Sequence, residues 1–252
     1  MKFVIIGGTG LIGSKLIENL TALGHDALAA SPSTGVDTLT GEGLGVALRG
    51  ADVVVDVSNS PSFADKEVMD FFQTSTRTQL KFEEEAGVGH HVALSIVGAE
   101  RLPESGYLRA KVAQEKLLVD SGRPYSILRA TQFYEFVSRI ADAATVDGEV
   151  RLPLGSLQPM ASDDVVRALG RVAVGAPLMG TRETGGPQPF PMPELIGMAL
   201  TAAGDARTVI PDPEARYFGA LLTGNELVPG EGAELGSIRF ADWLAASVPA
   251  SH

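Results

Sequence analysis

The run Phe3-Val4-Ile5-Ile6-Gly7-Gly8-Thr9-Gly10-Leu11-Ile12-Gly13 decides how this chain is read. Four apolar residues give a short buried strand. Glycines interrupt it at once. From Leu11 to Leu23 the apolar residues at 11, 12, 16, 17, 20 and 23 fall at nearly helical spacing, and Gly24 is a natural stop. Gly8, Gly10 and Gly13 satisfy G-x-G-x-x-G, and Gly7, Gly10 and Gly13 also satisfy G-x-x-G-x-x-G. A lone match is weak. Between a strand and the helix it opens, the pattern is specific. Such glycines let the backbone approach a pyrophosphate, and the helix N-terminus holds its charge. The plain alternative is a βα turn with a glycine cap. The context favours a cofactor turn made of Gly7, Gly8, Thr9, Gly10, Leu11, Ile12 and Gly13.

Outward from this turn, apolar strands alternate with helical stretches. Ala27–Ala30, Ala51–Val57, His91–Val97 and Pro124–Leu128 read as strands, and 64–86 and 108–119 read as helices. This alternation predicts an α/β fold with a doubly wound parallel sheet covered on both faces. The second half differs. Of 15 prolines, 11 fall at or after Pro153, and all six lysines lie before residue 117. Helices are expected at 165–174 behind Ser162-Asp163-Asp164, at 195–203 behind Pro193-Glu194, and at 240–246. The expected division is a nucleotide-binding part, 1–148, and a small α+β substrate cap, 149–252, packed intimately on it.

Composition excludes several chemistries. The 252 residues contain no cysteine, so thiolate nucleophiles, disulfides and thiolate metal sites are out. Net charge is −11, spread as 13 basic against 20 acidic residues in 1–150 and 7 against 11 in 151–252. That balance argues against nucleic-acid affinity. No apolar run approaches the ~18 residues a membrane span needs. The apolar start is too short for a secretory leader, so a cytoplasmic protein is expected. His90 and His91 would point to opposite faces of a strand, and His25 and His252 are remote, so no metal is expected. Glu83-Glu84-Glu85 reads as the solvated end of a helix.

Tyr107 and Lys111 in Gly106-Tyr107-Leu108-Arg109-Ala110-Lys111 are four apart and share a helix face. A nearby ammonium is expected to lower the tyrosine pKa, fitting it to exchange a proton with a substrate carbonyl or hydroxyl. Ser95 precedes Tyr107 by twelve residues, near a strand's C-terminal end, and can bond the same oxygen. Alone, the pair is common; together with the glycine turn it points to redox chemistry. Ser58 and Asn59 follow the Ala51–Val57 strand, where a loop would lie over a cofactor's ribose and nicotinamide, with an ordinary polar turn the alternative. Thr131 follows the strand ending at Leu128, and Gln132, Phe133 and Tyr134 begin a substrate pocket, with core packing the alternative for at least one aromatic. The second strand ends Ala29-Ala30-Ser31-Pro32-Ser33-Thr34, without the acid expected ~20 residues after the glycines to bind a ribose 2′-OH. Ser31, Ser33 and Thr34 can bond a phosphate. NADP is favoured slightly, and NAD stays open.

On Gly7–Gly13, Asp52–Ser58, Tyr107–Lys111, Arg129–Phe133 and Ala161–Val165, the chain resembles the short-chain dehydrogenase/reductase superfamily, and more narrowly its atypical, NmrA-like NAD(P)-binding branch. The resemblance covers most of residues 1–175. It implies a Rossmann fold, pyrophosphate on the glycine turn, Lys111 bonded to the nicotinamide ribose, Tyr107 as acid/base and Ser95 as its partner. The superfamily's usual helix asparagine has no counterpart; Gln73 and Thr76 lie in that helix. The expected function is NAD(P)-dependent hydride transfer to or from a small carbonyl, quinone or alcohol. The alternatives are a redox sensor that binds the dinucleotide without turnover, and a tailoring enzyme acting on aromatic polyketides. A small molecule is the expected partner, and a homodimer is compatible with the sequence.

Overall fold

The computed structural model describes residues 1–247. Its central sheet holds β1 (Lys2–Ile6), β2 (Asp26–Ala30), β3 (Val53–Asp56), β4 (His90–Ile96), β5 (Tyr125–Ala130), β6 (Gly180–Gly185) and β7 (Glu234–Leu235). Their spatial order is β7-β6-β5-β4-β3-β1-β2. β1 pairs with β2 and β3, β3 with β4, and β6 with β7, all parallel. The helices are α1 (Leu11–Ala22), α2 (Leu44–Ala47), α3 (Asp65–Ala86), α4 (Gly106–Asp120), α5 (Val137–Ala143), α6 (Ser162–Val174), α7 (Met192–Ala203) and α8 (Phe240–Ser247). No helix among the described residues is long and apolar enough to cross a membrane.

The sequence explains these elements locally. β1 after Lys2 and β3 up to Asp56 are apolar on both faces, and both strands are buried throughout except at Lys2, as a doubly covered sheet requires. α1 buries Ile12, Leu16 and Leu20, one stripe at four-residue spacing. α3 carries Asp65 and Glu67 in its first turn, where the helix dipole favours them, and ends at Gly87 in the left-handed conformation (φ 72°). Val68 and Phe72 of α3 pack on Ala110 of α4, with Tyr107 at the border of that cluster.

The chain divides into two units. The first comprises Met1–Ile96, Gly106–Arg129 and Val165–Arg182. The second comprises Val97–Ser105, Ala130–Asp164 and the described residues from Glu183 onward. Residue 148 lies inside the second of these segments. That unit mixes short strands with α5, α7 and α8. A three-stranded sheet joins Thr208–Pro211, Glu149–Leu152 and Thr145–Val146. An aromatic cluster joins Tyr134, Phe240 and Trp243. Asp164, at the start of α6 as expected, is buried and accepts the Ser237 and Ile238 backbone N–H groups at 3.0 and 2.9 Å.

The strand order places the topological switch between β2 and β3, on either side of β1. In open parallel sheets, ligands bind outside the carboxyl ends of the strands at that point. Here those ends lead into Gly7 and Val57-Ser58.

Candidate functional site

Gly7, directly after β1, takes φ +79°, and a Cβ there would stand 2.9 Å from the Ser58 backbone. A Cβ on Gly8 would meet Ala29 Cα at 2.6 Å, and one on Gly13 would meet Gly7 O at 2.3 Å. Each is closer than side-chain carbons approach backbone, so strand, turn and helix pack this tightly only with glycine. α1 starts with Gly10 as N-cap, with no capping side chain and no acid in its first turn. Its leading N–H groups are therefore available to an anion. Ile12 is buried, so what it can offer a ligand is its backbone. Leu11 is partly buried.

A cluster of hydroxyls stands beside this turn. Thr9 Oγ1 lies 3.0 Å from Ser31 Oγ and accepts from Ser33 Oγ at 3.5 Å. Thr34 Oγ1 accepts the Ser31 N–H at 3.0 Å and closes the turn after β2. No acid or arginine occurs in this stretch.

After β3, Ser58 donates both its N–H (2.9 Å) and its hydroxyl (2.6 Å) to Asp56 Oδ1. Asn59 Oδ1 accepts the Ser60 N–H at 3.0 Å and the Tyr107 hydroxyl at 3.2 Å. The fold thus brings the expected ribose loop onto the expected acid/base. Tyr107 lies in the first turn of α4, between the rings of Phe63 (5.2 Å) and Phe72 (6.2 Å).

Lys111, one turn further along α4, is 4% exposed. Its ammonium donates to Leu94 O at 2.9 Å and to Gln114 Oε1, and lies 4.4 Å from the Phe72 ring centre. Leu94 immediately precedes Ser95. The Ser95 hydroxyl is buried and has no hydrogen-bond partner within the protein. A buried orphan hydroxyl costs stability, and such groups cluster where a ligand completes them.

The electrostatics depart from expectation. Burial pushes the Tyr107 phenol up to about 12, not down. The hydrogen bond to Asn59 pulls the other way. Burial also brings Lys111 down to about 8, although the charges of Asp56 and Glu115 pull the other way. Lys111 is held by backbone, amide and ring, the surroundings of a desolvated cation.

Of the remaining expected residues, Thr131 is buried, and its hydroxyl donates to Gln158 O at 2.6 Å. Tyr134 is 1% exposed and donates to Ile238 O at 2.9 Å, its ring tilted against Phe240 and Trp243, which is the packing role. Gln132 is partly buried, with its side-chain oxygen lacking a partner, and Phe133 stacks against Phe136 at 5.6 Å.

One expectation is corrected. Glu83 is not solvated: it is 1% exposed and accepts from His91 Nδ1 at 2.8 Å. α3 is long enough for its last turns to lie along the sheet, and Glu83 takes the inward position there. Burial alone disfavours the imidazolium, but Glu83's charge and hydrogen bond outweigh it and raise His91 above 6.5. The pair's contribution is complete below pH 6.5 and is lost as pH rises through the raised value. Glu83→Gln should lower stability by about 1–3 kcal/mol and flatten this dependence. Thermal melts of both proteins between pH 5 and pH 9 check it.

Sequence reasoning also missed Asp56, Gln79 and Gln114. Asp56 Oδ2 accepts Gln79 Nε2 at 2.9 Å and Gln114 Nε2 at 3.0 Å. A carboxylate ending the all-apolar run Val53-Val54-Val55 was the available signal: such an acid is buried and must be paired.

No protein-family model and no curated protein matches this chain. Solved structures do. MoeE5 in complex with UDP-glucose and NAD aligns at TM-score 0.76 and 19% identity, over 98% of this chain and 97% of that one. UDP-glucose 4-epimerase from Bifidobacterium longum, in complex with NAD+ and UDP, aligns at 0.75 and 15%, over 98% and 97%. This is a Rossmann-like α/β fold. DesIV, the dTDP-glucose 4,6-dehydratase from Streptomyces venezuelae with NAD bound, aligns at 0.72 and 20%, over 98% and 96%. At these identities the likeness establishes the Rossmann-like architecture; function rests on the residues.

Proposed function

We propose that this chain is an NAD(P)-dependent oxidoreductase of the short-chain dehydrogenase/reductase type, NmrA-like in its motifs, acting on a small carbonyl, quinone or alcohol. The observation that carries this reading is the placement of Lys111 against Leu94 O, beside the orphan Ser95 hydroxyl at the C-terminal end of β4, with Tyr107 one helical turn away. The structural neighbours named with NAD share the fold that places such groups there and support the same cofactor class. The nicotinamide, when bound, supplies or accepts the hydride.

The protein's share is binding and proton handling. The glycine turn and the free N–H groups of α1 take the pyrophosphate, and the Ser58-Asn59 loop takes the adjoining ribose. Lys111 uses two of its three donors within the protein, leaving one for a ribose hydroxyl. Ser95 donates to the substrate oxygen, and Tyr107 gives or takes its proton. Asn59 competes for the Tyr107 proton until a substrate displaces it. The hydroxyls of Thr9, Ser31 and Ser33, with no acid in residues 29–34 to repel a 2′-phosphate, favour NADP. Gln132 and Phe133 remain proposed substrate contacts.

A second reading is a sensor that binds the dinucleotide without turnover. The Tyr107 phenol at about 12 favours it, since an acid/base is usually tuned nearer the working pH. Steady-state consumption of NADPH or NADH across a carbonyl and quinone panel separates the two. Turnover on any member supports the enzyme, and saturable binding with no consumption supports the sensor. For the enzyme, kcat/KM should fall as pH rises past about 8, where Lys111 loses its charge.

A further inference from the structure

A chain of buried polar side chains runs behind the proposed site. Lys111 donates to Gln114 Oε1, Gln114 Nε2 donates to Asp56 Oδ2 at 3.0 Å, and Gln79 Nε2 donates to the same oxygen at 2.9 Å. Gln79 also donates to Ser75 Oγ at 2.9 Å, and Ser75 donates to Thr38 at 2.8 Å. All six residues are buried.

The Gln114 orientation is forced. Its carbonyl faces an ammonium and its N–H2 faces a carboxylate. Turning the amide over would set oxygen against carboxylate and N–H2 against ammonium, two repulsions in a water-poor interior. Asp56 is equally committed, accepting four hydrogen bonds, from Ser58 (two), Gln79 and Gln114. That saturation fixes the carboxylate on β3 and lets it polarise the Gln114 amide toward Lys111.

We propose that Gln114 and Asp56 are positioning residues for Lys111: Asp56 orients and polarises Gln114, and Gln114 holds the Lys111 ammonium charged and aimed at the site. This rests on the oxidoreductase reading for its purpose, although the linkage itself is a property of the ligand-free protein.

Other charged groups around Lys111 are accounted for. Glu115, on the same helix, is engaged by Arg129 through two hydrogen bonds of 2.9 and 2.6 Å. The His91–Glu83 pair lies beyond Asp56, and His91 feels the Asp56 charge. Asp56 is therefore the acid linked to Lys111 by a hydrogen-bonded path.

The test reads Lys111 directly. Lysine labelled with carbon-13 at Cε gives six signals to follow by NMR against pH, and Lys111→Met assigns the one that matters. In the wild type it should titrate near 8. Gln114→Met and Asp56→Asn should each lower the midpoint by about one unit, a tenfold loss of proton affinity. The double variant should fall by less than the sum of the two single effects, because Asp56 acts on Lys111 partly by its own charge and partly through Gln114. Gln114→Glu, which keeps shape and acceptor, should raise it, and provides the answer if Gln114→Met fails to fold. Unchanged titration in folded Gln114→Met, or in Gln114→Glu, overturns the proposal, as do fully additive shifts. No dinucleotide is present, so absence of turnover would sink the oxidoreductase reading and leave this result standing.

Discussion

Replacing Tyr107 with phenylalanine is expected to cut turnover by about 10²–10⁴-fold, the range a positioned acid/base contributes. Dinucleotide affinity should change little, because the glycine turn and α1 lie on other elements. The fold should survive as well. The lost hydroxyl has Asn59 as a hydrogen-bond partner, at 3.2 Å, and Asn59 keeps the Ser60 N–H on the same oxygen. The rings of Phe63 and Phe72 retain their edge contacts with the new side chain. Single-turnover rates with a substrate found by the panel, alongside affinity measured separately, check this. Wild-type turnover in the variant would remove Tyr107 from the chemistry.

Gly13→Ala should have the largest effect on binding. The added carbon would stand 2.3 Å from Gly7 O, 2.6 Å from Gly8 Cα and 2.9 Å from Gly7 C, all backbone. No rotamer relieves such a clash, so the turn or the start of α1 must move. A shift there separates the helix N–H groups from the turn that aims them, and affinity should fall at least about a hundredfold, about 2.7 kcal/mol. Gly10→Ala is the control. Its Cβ would meet Gly7 O at 3.3 Å, and the Gly10 backbone, at φ −82°, accepts a side chain without strain. It should fold normally and bind more tightly than Gly13→Ala. Circular dichroism and dinucleotide titration on both variants separate lost binding from lost fold.

Much of the first unit was legible from residues 1–130, because its periodicities are strong and its turns carry glycine. The β3 run Val53-Val54-Val55 and the α1 stripe announce themselves. That Tyr107 and Lys111 lie one turn apart on a helix was legible from their spacing. Their protonation was not. Spacing cannot show that the Lys111 ammonium turns to Leu94 O, Gln114 and Phe72, or that Tyr107 sits among rings that raise its pKa. Glu83 and Asp56 were opaque for a related reason: whether an acid at an element's end is solvated depends on what crosses it from distant strands. Glu83 meets His91 of β4, and Asp56 meets Gln79 and Gln114 from two helices. Beyond 150, prolines and short strands mark boundaries but carry no chemical pattern, so the substrate stays unread there.

The structure also gives the hydroxyl cluster at the end of β2 a definite form, with Thr9 bridging Ser31 and Ser33. That arrangement is the basis of the proposed preference for NADP, and affinities for the two reduced cofactors compared side by side test it.

The most direct test of the central claim is calorimetric titration of the folded protein with NADPH and, separately, with NADH. The account predicts saturable binding at one site per chain, tighter for NADPH and lost in Gly13→Ala. A folded protein that takes up neither dinucleotide at concentrations up to about 1 mM, where even a weak site of about −4 kcal/mol would register, contradicts it.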